Sequence, residues 1–341
     1  MTPPVSNEGG VVGASVLAID AEAEVARIGR WMQDALSREL RKRGVVVAIS
    51  GGIDSAVCAA LAVKALGPSK VFGLLLPERE SSPGSTTRGR ELVEMLGIEH
   101  LEVDITPVLT AFGCYAQRDA AIKRVIPAYG DGWRSKIAIA GSGKGQIASF
   151  RLIAESPSGE RFEDRLSHRE LLQIVAATSY KQRSRKTVEY FHADRLNYAV
   201  LGTPNKLEYE LGFFVRNGDG SADIKPIAHL YKTQVFATAE FLHLPQSIRE
   251  ATPSTDTYSM SQGQDEFYFG FPWQQIDLAM WANEQGLAVE EASLLLGRAP
   301  EAVLRLRNDI EFKKRVSKVI GAQAMTITES SKLQPKVDKD E

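Results

Sequence analysis

One short stretch, Ser50-Gly51-Gly52-Ile53-Asp54-Ser55, has the residue types and spacing of an anion site. Glycines let backbone N–H groups approach an oxyanion closely. A helix that starts here adds its positive end to the same place. The Ser50 and Ser55 hydroxyls can bond phosphate oxygens. A carboxylate at this corner, Asp54, makes chemical sense chiefly with a Mg²⁺ ion between it and the phosphates. The phosphate loop of kinases and GTPases is excluded, because its Gly-Lys-Ser/Thr ending is missing.

Such a corner needs a strand ahead of it and a helix behind it. Val45 to Ile49 is a β-branched run that reads as a buried parallel strand, and Ala56 to Leu66 is apolar and Ala-rich, as a helix requires. Upstream, residues 19–43 read as an amphipathic helix on Val25, Ile28, Trp31, Met32, Leu36 and Leu40, stopped by Gly44. Downstream come a second strand (Val71 to Leu76), a polar Ser-rich loop (Glu78 to Arg88), a helix (Thr86 to Leu96) and a third strand (His100 to Ile105). Residues 107–125 read as one further helix. Strands alternating with helices predict an α/β fold with a doubly wound parallel sheet. Ligands of such sheets bind beyond the carboxyl ends of the strands, where Ser50 and the Glu78–Arg88 loop both fall.

The texture changes between residues 129 and 166. Three strand-like stretches, separated by Gly141 to Gly145 and Ser156 to Gly159, predict a small β-rich insertion. Gly141-Ser-Gly-Lys-Gly145 reads as a hairpin turn rather than a phosphate loop, since no Ser/Thr follows Lys144 and no long apolar helix comes after it. The chain then returns to α/β: a long helix (Glu170 to Ala193) carrying Arg183 and Arg185, a short strand (Ala199 to Gly202), and a helix from Ile227 to Leu242. A polar loop (Thr252 to Glu266) follows, and C-terminal helices at 273–285, 288–296 and 300–320 end the chain.

The bulk properties suit one globular domain over about residues 17–325, with disordered tails at 1–16 and 326–341. Of 341 residues, 43% are hydrophobic and 25% charged, and the formal net charge of −2 favours neither nucleic acid nor a membrane surface. Cys58 and Cys114 cannot build a disulfide framework or a cysteine zinc site, so a reducing cytoplasm is the expected setting. No signal peptide and no membrane-spanning apolar run are visible.

The Ser50–Ser55 segment resembles the pyrophosphate loop of the N-type ATP pyrophosphatases, a Rossmann-like superfamily that cleaves ATP between the α- and β-phosphates. The later residues narrow the resemblance. Arg183-x-Arg185, Gly202-Thr203-x-Asn205-Lys206-x-Glu208, Gly212-Phe213-Phe214, Gly218-Asp219-Gly220-x-x-Asp223, Lys232-Thr-Gln and Pro253-Ser254-Thr255-Asp256 follow in the order seen in the synthetase domain of NAD synthetases. The likeness runs from about residue 20 to 320, interrupted by the insertion.

That resemblance implies an ammonia-dependent, AMP-forming amide ligase. ATP would adenylate the carboxylate of deamido-NAD, and ammonia would then displace AMP. It assigns Ser50, Gly51, Gly52, Asp54, Ser55, Leu76, Arg185, Thr203, Lys232 and Ser254 to ATP, with Lys232, Ser254 and Asp54 acting on the transferring phosphate. Asp54 and Glu208 would hold Mg²⁺. Ser179, Arg183, Tyr190, Phe213, Arg216, Asp219 and Asp223 would line the deamido-NAD site, which in the family lies at a two-fold interface, so a homodimer is expected. The Asp265-Glu266 loop would act as a lid.

The chain departs from the family pattern at several places. Ser179 and Gln182 stand where the family has Asn and Ala, Arg216 where it has Lys, and Leu207 where a small residue is common. An Arg fork and a Lys point charge are not equivalent. The ATP half of the pattern is intact, whereas the acid-binding half is altered. An amide ligase of the same mechanism acting on a different carboxylate is therefore the alternative, followed by a nucleotide-binding protein without synthetase activity. No fused glutaminase domain is expected, because only about 45 residues precede the first motif; ammonia, free or from a separate protein, would be the donor.

Overall fold

The computed structural model describes residues 15–140, 149–252, 257–260, 263, 268–324 and 326. Its centre is a four-stranded parallel sheet in the order β3-β2-β1-β7, formed by β1 (Val45–Ala48), β2 (Val71–Leu75), β3 (Glu99–Glu102) and β7 (Ala199–Leu201). β1 is central: Val45 pairs with Val71 on one side and with Ala199 on the other. Strand alternation sends Val45 and Val47 to one face and Val46 to the other. The first face meets α1 (Ala21–Asp34), α2 (Ile53–Leu66) and α3 (Pro83–Leu96) through Ile28, Val57, Leu61 and Leu92. The second meets α4 (Thr106–Ala111), α5 (Cys114–Val125) and α6 (His168–Leu196) through Leu109, Tyr115 and Ala193. Burial on both faces is why β1, β2 and β7 read as continuous apolar runs, whereas β3, at the sheet edge, is exposed along its length.

The insertion is a separate antiparallel sheet, β4 (Arg134–Ala140), β5 (Ser149–Glu155) and β6 (Arg161–Arg165). Ile137, Leu152 and Ala154 pack it onto Ala121 and Ile122 of α5 and Ile174 of α6, with Tyr258 in the same core. The expected turn at Gly141 to Gly145 lies outside the described residues. After β7 come α7 (Lys206–Leu211), α8 (Lys232–Phe241) and α9 (Gln246–Arg249). The chain then forms α10 (Trp273–Glu284), α11 (Val289–Leu296) and α12 (Pro300–Ile320), whose Met280, Ala292 and Ile310 share a core with Leu207 and Tyr231. Among the described residues no helix is long and apolar enough to cross a membrane.

Several boundaries differ from the sequence expectation. The first helix ends before Gly44: a π-turn over Ala35–Leu40 widens it, and Arg41 at φ 52° closes it. The single helix expected over 107–125 is broken by Gly113 at φ +73°, a conformation that stops one helix and starts another. Residues 227–230 are turns, and α8 begins only at Lys232, where Asp277 of α10 accepts from the Lys232 and Thr233 backbone N–H groups at 3.2 and 2.8 Å. The tail expected at 1–16 lies outside the described residues except at its end, where Ser15–Leu17 form a 3₁₀ turn that buries Leu17. Of the tail expected at 326–341, only Thr326 is described.

Candidate functional site

β1 delivers the chain to Ser50, and the loop turns sharply at Gly51. Gly51 has φ +77°, and a Cβ there would lie 2.1 Å from Ser85 O, so only glycine fits. Gly52 then caps α2 without a side-chain bond to the helix N–H groups, which leaves the helix start to a ligand. The two hydroxyls are tied together, Ser50 Oγ to Ser55 Oγ at 3.2 Å, and Ser55 Oγ donates to Gly52 O at 2.9 Å. Asp54 sits in the first turn of α2.

Residues far along the chain close on Asp54. Asn205 Nδ2 donates to Asp54 Oδ1 at 3.0 Å, and Lys232 Nζ donates to Asp54 Oδ2. Asn205 is also the N-cap of α7: its Oδ1 accepts from Glu208 N, and Glu208 Oε2 accepts from Asn205 N, both at 3.2 Å. One asparagine therefore positions both carboxylates. Burial works against the charge on Lys232, but the Asp54 and Glu208 carboxylates outweigh it, and the ammonium is held above its ordinary pKa.

Asp54, Glu208 and Lys232 line one cavity of about 590 Å³ at the carboxyl ends of the strands, with Asn205 behind them. Of the residues expected at the site, Ser50, Gly52, Asp54, Ser55, Leu76, Ser179, Arg185, Thr203, Glu208, Phe213, Asp219 and Lys232 are on its wall. Arg185 Nε donates to Leu76 O at 3.2 Å, and Phe213 packs on Tyr268 and Phe269 with ring centroids 5.1 and 5.4 Å apart. Ser179 spends its hydroxyl on Val175 O at 2.7 Å. Asp219 is half-buried, with Oδ1 accepting from Val215 N at 2.7 Å; desolvation pushes its pKa up against that bond.

Gly51, inside the loop, is not itself on the wall, and four further expected residues, Arg183, Tyr190, Arg216 and Asp223, lie off it as well. Arg183 Nε donates to Arg216 O at 3.2 Å, and Tyr190 OH donates to Asp223 Oδ1 at 3.4 Å while Asp223 Oδ2 accepts from Val200 N at 2.7 Å. Ser254, Asp265 and Glu266 lie outside the described residues.

Three groups on the wall escaped the sequence reading. Arg88, with Ser85 and Thr86, lines the same cavity as Ser50, Gly52 and Ser55. Lys186 and Glu189 form a buried pair at 2.7 Å, in which burial raises the Glu189 pKa against the pull of Lys186. Lys181, only 1% exposed, donates to Glu78 Oε1 at 2.9 Å, Glu80 Oε2 at 2.7 Å and Thr257 O at 3.0 Å. Arg118 adds a second cation to Glu80 at 2.6 Å. The position of the Glu78–Arg88 loop at a strand end was the signal that could have drawn attention to Arg88.

The Asp54 and Glu208 carboxylates are hard oxygen donors facing one phosphate loop, and no group of three or more acidic, His or Cys side chains arranged to hold a metal occurs among the described residues. That donor set fits Mg²⁺, which binds through one or two carboxylates with waters and substrate phosphates supplying the rest.

The sequence model of the family described as NAD synthase matches residues 24–126 and 151–317. The chain belongs to the NAD synthase family. The gap at 127–150 in the family match falls where the chain enters the inserted sheet. An NH₃-dependent NAD⁺ synthetase of Rhizobium meliloti is 48% identical over 311 residues, 91% of this chain and 93% of that protein. Its counterpart in Rhizobium rhizogenes is 46% identical over 320 residues, 93% and 96% of the two chains. Among solved structures, an NMN synthetase from Francisella tularensis is similar with TM-score 0.61 and 25% identity, over 91% of this chain and 99% of that one. An NH₃-dependent NAD synthetase from Campylobacter jejuni, at TM-score 0.59 and 21% identity over 91% and 100%, shares the fold. The inserted sheet touches the site through Phe150 on the cavity wall, where Tyr258, from the segment packed against that sheet, also stands.

Proposed function

We propose that the chain makes NAD from deamido-NAD, ATP and ammonia. The observation that carries this reading is the convergence of Asp54, Asn205, Glu208 and Lys232 beside the Ser50–Ser55 loop, in a chain whose near-full-length relatives bear that activity. A carboxylate oxygen of deamido-NAD attacks the α-phosphorus of ATP, and the bond to the β-phosphate oxygen breaks. The electron pair leaves with pyrophosphate. Ammonia then adds to the carbonyl of the acyl-adenylate, and AMP departs with the former carboxylate oxygen.

The residues serve this sequence by position and charge. Ser50, Gly51, Gly52, Ser55 and Thr203 bind phosphate oxygens. Lys232, fixed by Asp54, places a permanent cation where charge develops, a preorganised donor that need not reorient during transfer. Ser254 matches the family position that assists it. Arg185 and Leu76 border the adenine side. Asp54 and Glu208 would hold Mg²⁺, which supplies charge neutralisation on the phosphates when bound. Asp219, on the cavity wall with Oδ1 accepting from Val215 N, belongs to the deamido-NAD set in this reading. The cavity wall follows α6 from Leu171 to Glu189, about 27 Å of helix, a length suited to two nucleotide substrates end to end.

Ser179, Arg183, Tyr190, Phe213, Arg216 and Asp223 bind deamido-NAD in this reading. Four of them lie beside the cavity, so a second copy of the chain would complete the site, as a homodimer. Exposed Phe112, Tyr180 and Phe191 give that contact an apolar surface. Free, buried Cys58 and Cys114 suit a cytoplasmic enzyme.

The likeness to an NMN synthetase, together with the altered Ser179 and Arg216, favours one second reading: amidation of the mononucleotide acid. Incubation with ATP, Mg²⁺, ammonium and either deamido-NAD or nicotinate mononucleotide, with AMP and the amide measured, separates the two. AMP and NAD from deamido-NAD support the proposal; turnover of the mononucleotide alone replaces it; AMP from neither acid refutes both.

A further inference from the structure

Arg88, on α3, reaches the Ser50–Ser55 loop at Gly51. Its Nε donates to Gly51 O at 2.9 Å and its Nη2 to Ser85 Oγ at 3.3 Å. The side chain is half-buried and lines the cavity with Ser50, Gly52 and Ser55. Its setting differs from that of the cavity lysines. Lys232 is bonded to Asp54, Lys181 to Glu78 and Glu80, and Lys186 to Glu189. Arg88 meets only neutral acceptors among the described residues. With no counterion among the described residues, and held against the Ser50–Ser55 loop, the guanidinium has its charge available to a ligand.

Geometry restricts which part of the ligand it serves. Gly51 O anchors Nε, so the remaining N–H donors of the five-donor fork stand at the lip of the loop. The start of α3 is pressed against Gly51, as the 2.1 Å approach of Ser85 O to a Cβ at that position requires. Arg185, the other guanidinium on the wall, is bonded instead to Leu76 O at the end of β2. We infer that Arg88 is a further catalytic residue that binds the β- and γ-phosphates of ATP and stabilises the departing pyrophosphate. When the bond between the α-phosphorus and the bridging oxygen breaks, the electron pair stays on pyrophosphate, and the guanidinium offers a bidentate, charge-assisted contact to it. No proton is transferred. The catalytic part of this assignment rests on the adenylating reaction proposed above; the binding part does not.

The test uses inorganic pyrophosphate with Mg²⁺, titrated calorimetrically into the full chain and into Arg88→Ala, Arg88→Gln and Arg88→Lys, beside steady-state AMP release. Arg88→Ala weakens pyrophosphate binding about tenfold or more, slows AMP release about 100-fold, and leaves KM for the carboxylate substrate within about twofold. Arg88→Lys, which keeps the charge, recovers part of the affinity, and Arg88→Gln recovers none. Full affinity in Arg88→Ala overturns the inference. Full affinity in Arg88→Gln also overturns it, since a neutral side chain bonding Gly51 O would then suffice. Should Arg88→Ala fail to fold, the Lys and Gln variants carry the comparison. No pyrophosphate binding by the wild type overturns the assignment. Binding that depends on Arg88, without AMP from any acid, upholds the site and refutes the proposed reaction instead.

Discussion

Lys232 and Asp54 are bonded side chain to side chain across 178 positions of sequence, and Asn205 holds the other oxygen of the same carboxylate. The Lys232 side chain is 2% exposed, so its charge depends on that partner. Asp54→Asn should cut AMP release by at least about 100-fold, because both the proposed metal ligand and the lysine's anchor are lost. It should also destabilise the chain by about 3 kcal/mol, the order expected when one member of a buried pair is removed. AMP assay and urea unfolding read the two effects separately; wild-type turnover in this variant would refute the assignment of Asp54 to the reacting phosphates.

Gly51→Ala tests the loop itself. A methyl group at φ +77° and 2.1 Å from Ser85 O demands movement of either α3 or the phosphate loop. The backbone strain alone is about 1–2 kcal/mol. ATP binding should fall below detection in a calorimetric titration while the far-ultraviolet circular dichroism stays that of a folded α/β protein. Unchanged ATP affinity would show that the loop tolerates displacement.

Glu80 connects stability to pH. Burial raises its pKa, but Lys181 and Arg118 more than offset this, and the net shift is downward from about 4.5. A lowered folded-state value contributes stability above the unfolded pKa, and that contribution is lost as pH falls through the folded one. Glu80→Gln should therefore lower stability at pH 7, by about 1.5–3 kcal/mol for the charged hydrogen bonds lost while Lys181 keeps Glu78 and Arg118 keeps Asp119, and make the acid limb of a stability-versus-pH curve shallower below pH 4.5. A curve parallel to wild type would exclude Glu80 as a source of the acid sensitivity.

Phe150 places the inserted sheet on the cavity wall near Leu171, Leu172 and Val175, about 20 Å along α6 from Arg185. Phe150→Ala should raise KM for the carboxylate substrate about five- to tenfold, consistent with loss of about 1 kcal/mol of apolar contact, and leave KM for ATP unchanged. Steady-state kinetics with each substrate varied in turn decides this; a change confined to ATP would reverse the assignment of that end of the cavity.

Much of the fold was legible because its signals are local. Val45 to Ser55 displays a buried strand, a glycine turn and a helix start within eleven residues, and the parallel sheet follows from strands alternating with helices. Asp54, Glu208 and Lys232 were recognisable because each belongs to a motif. Lys181 was not: a lysine on a helix reads as solvated, and its partner Glu78 is 103 positions away. Arg88 was hidden for a related reason, since its role depends on a carbonyl, Gly51 O, which no side-chain pattern reveals. Asn205 had a motif but not its function, because one amide serving two carboxylates exists only after α2 and α7 meet.

The outer edge of β4 is joined to residues 257–260: Ser135 N donates to Ser259 Oγ at 2.9 Å, and Met260 N donates to Ser135 O at 3.2 Å. Small-molecule selectivity follows from this junction. A compound confined to the Ser50–Ser55 corner meets groups shared across the family pattern. One extended along α6 to Phe150 meets a side chain of the inserted sheet, in the stretch that the family model leaves unmatched, and should discriminate this chain from any member that lacks it.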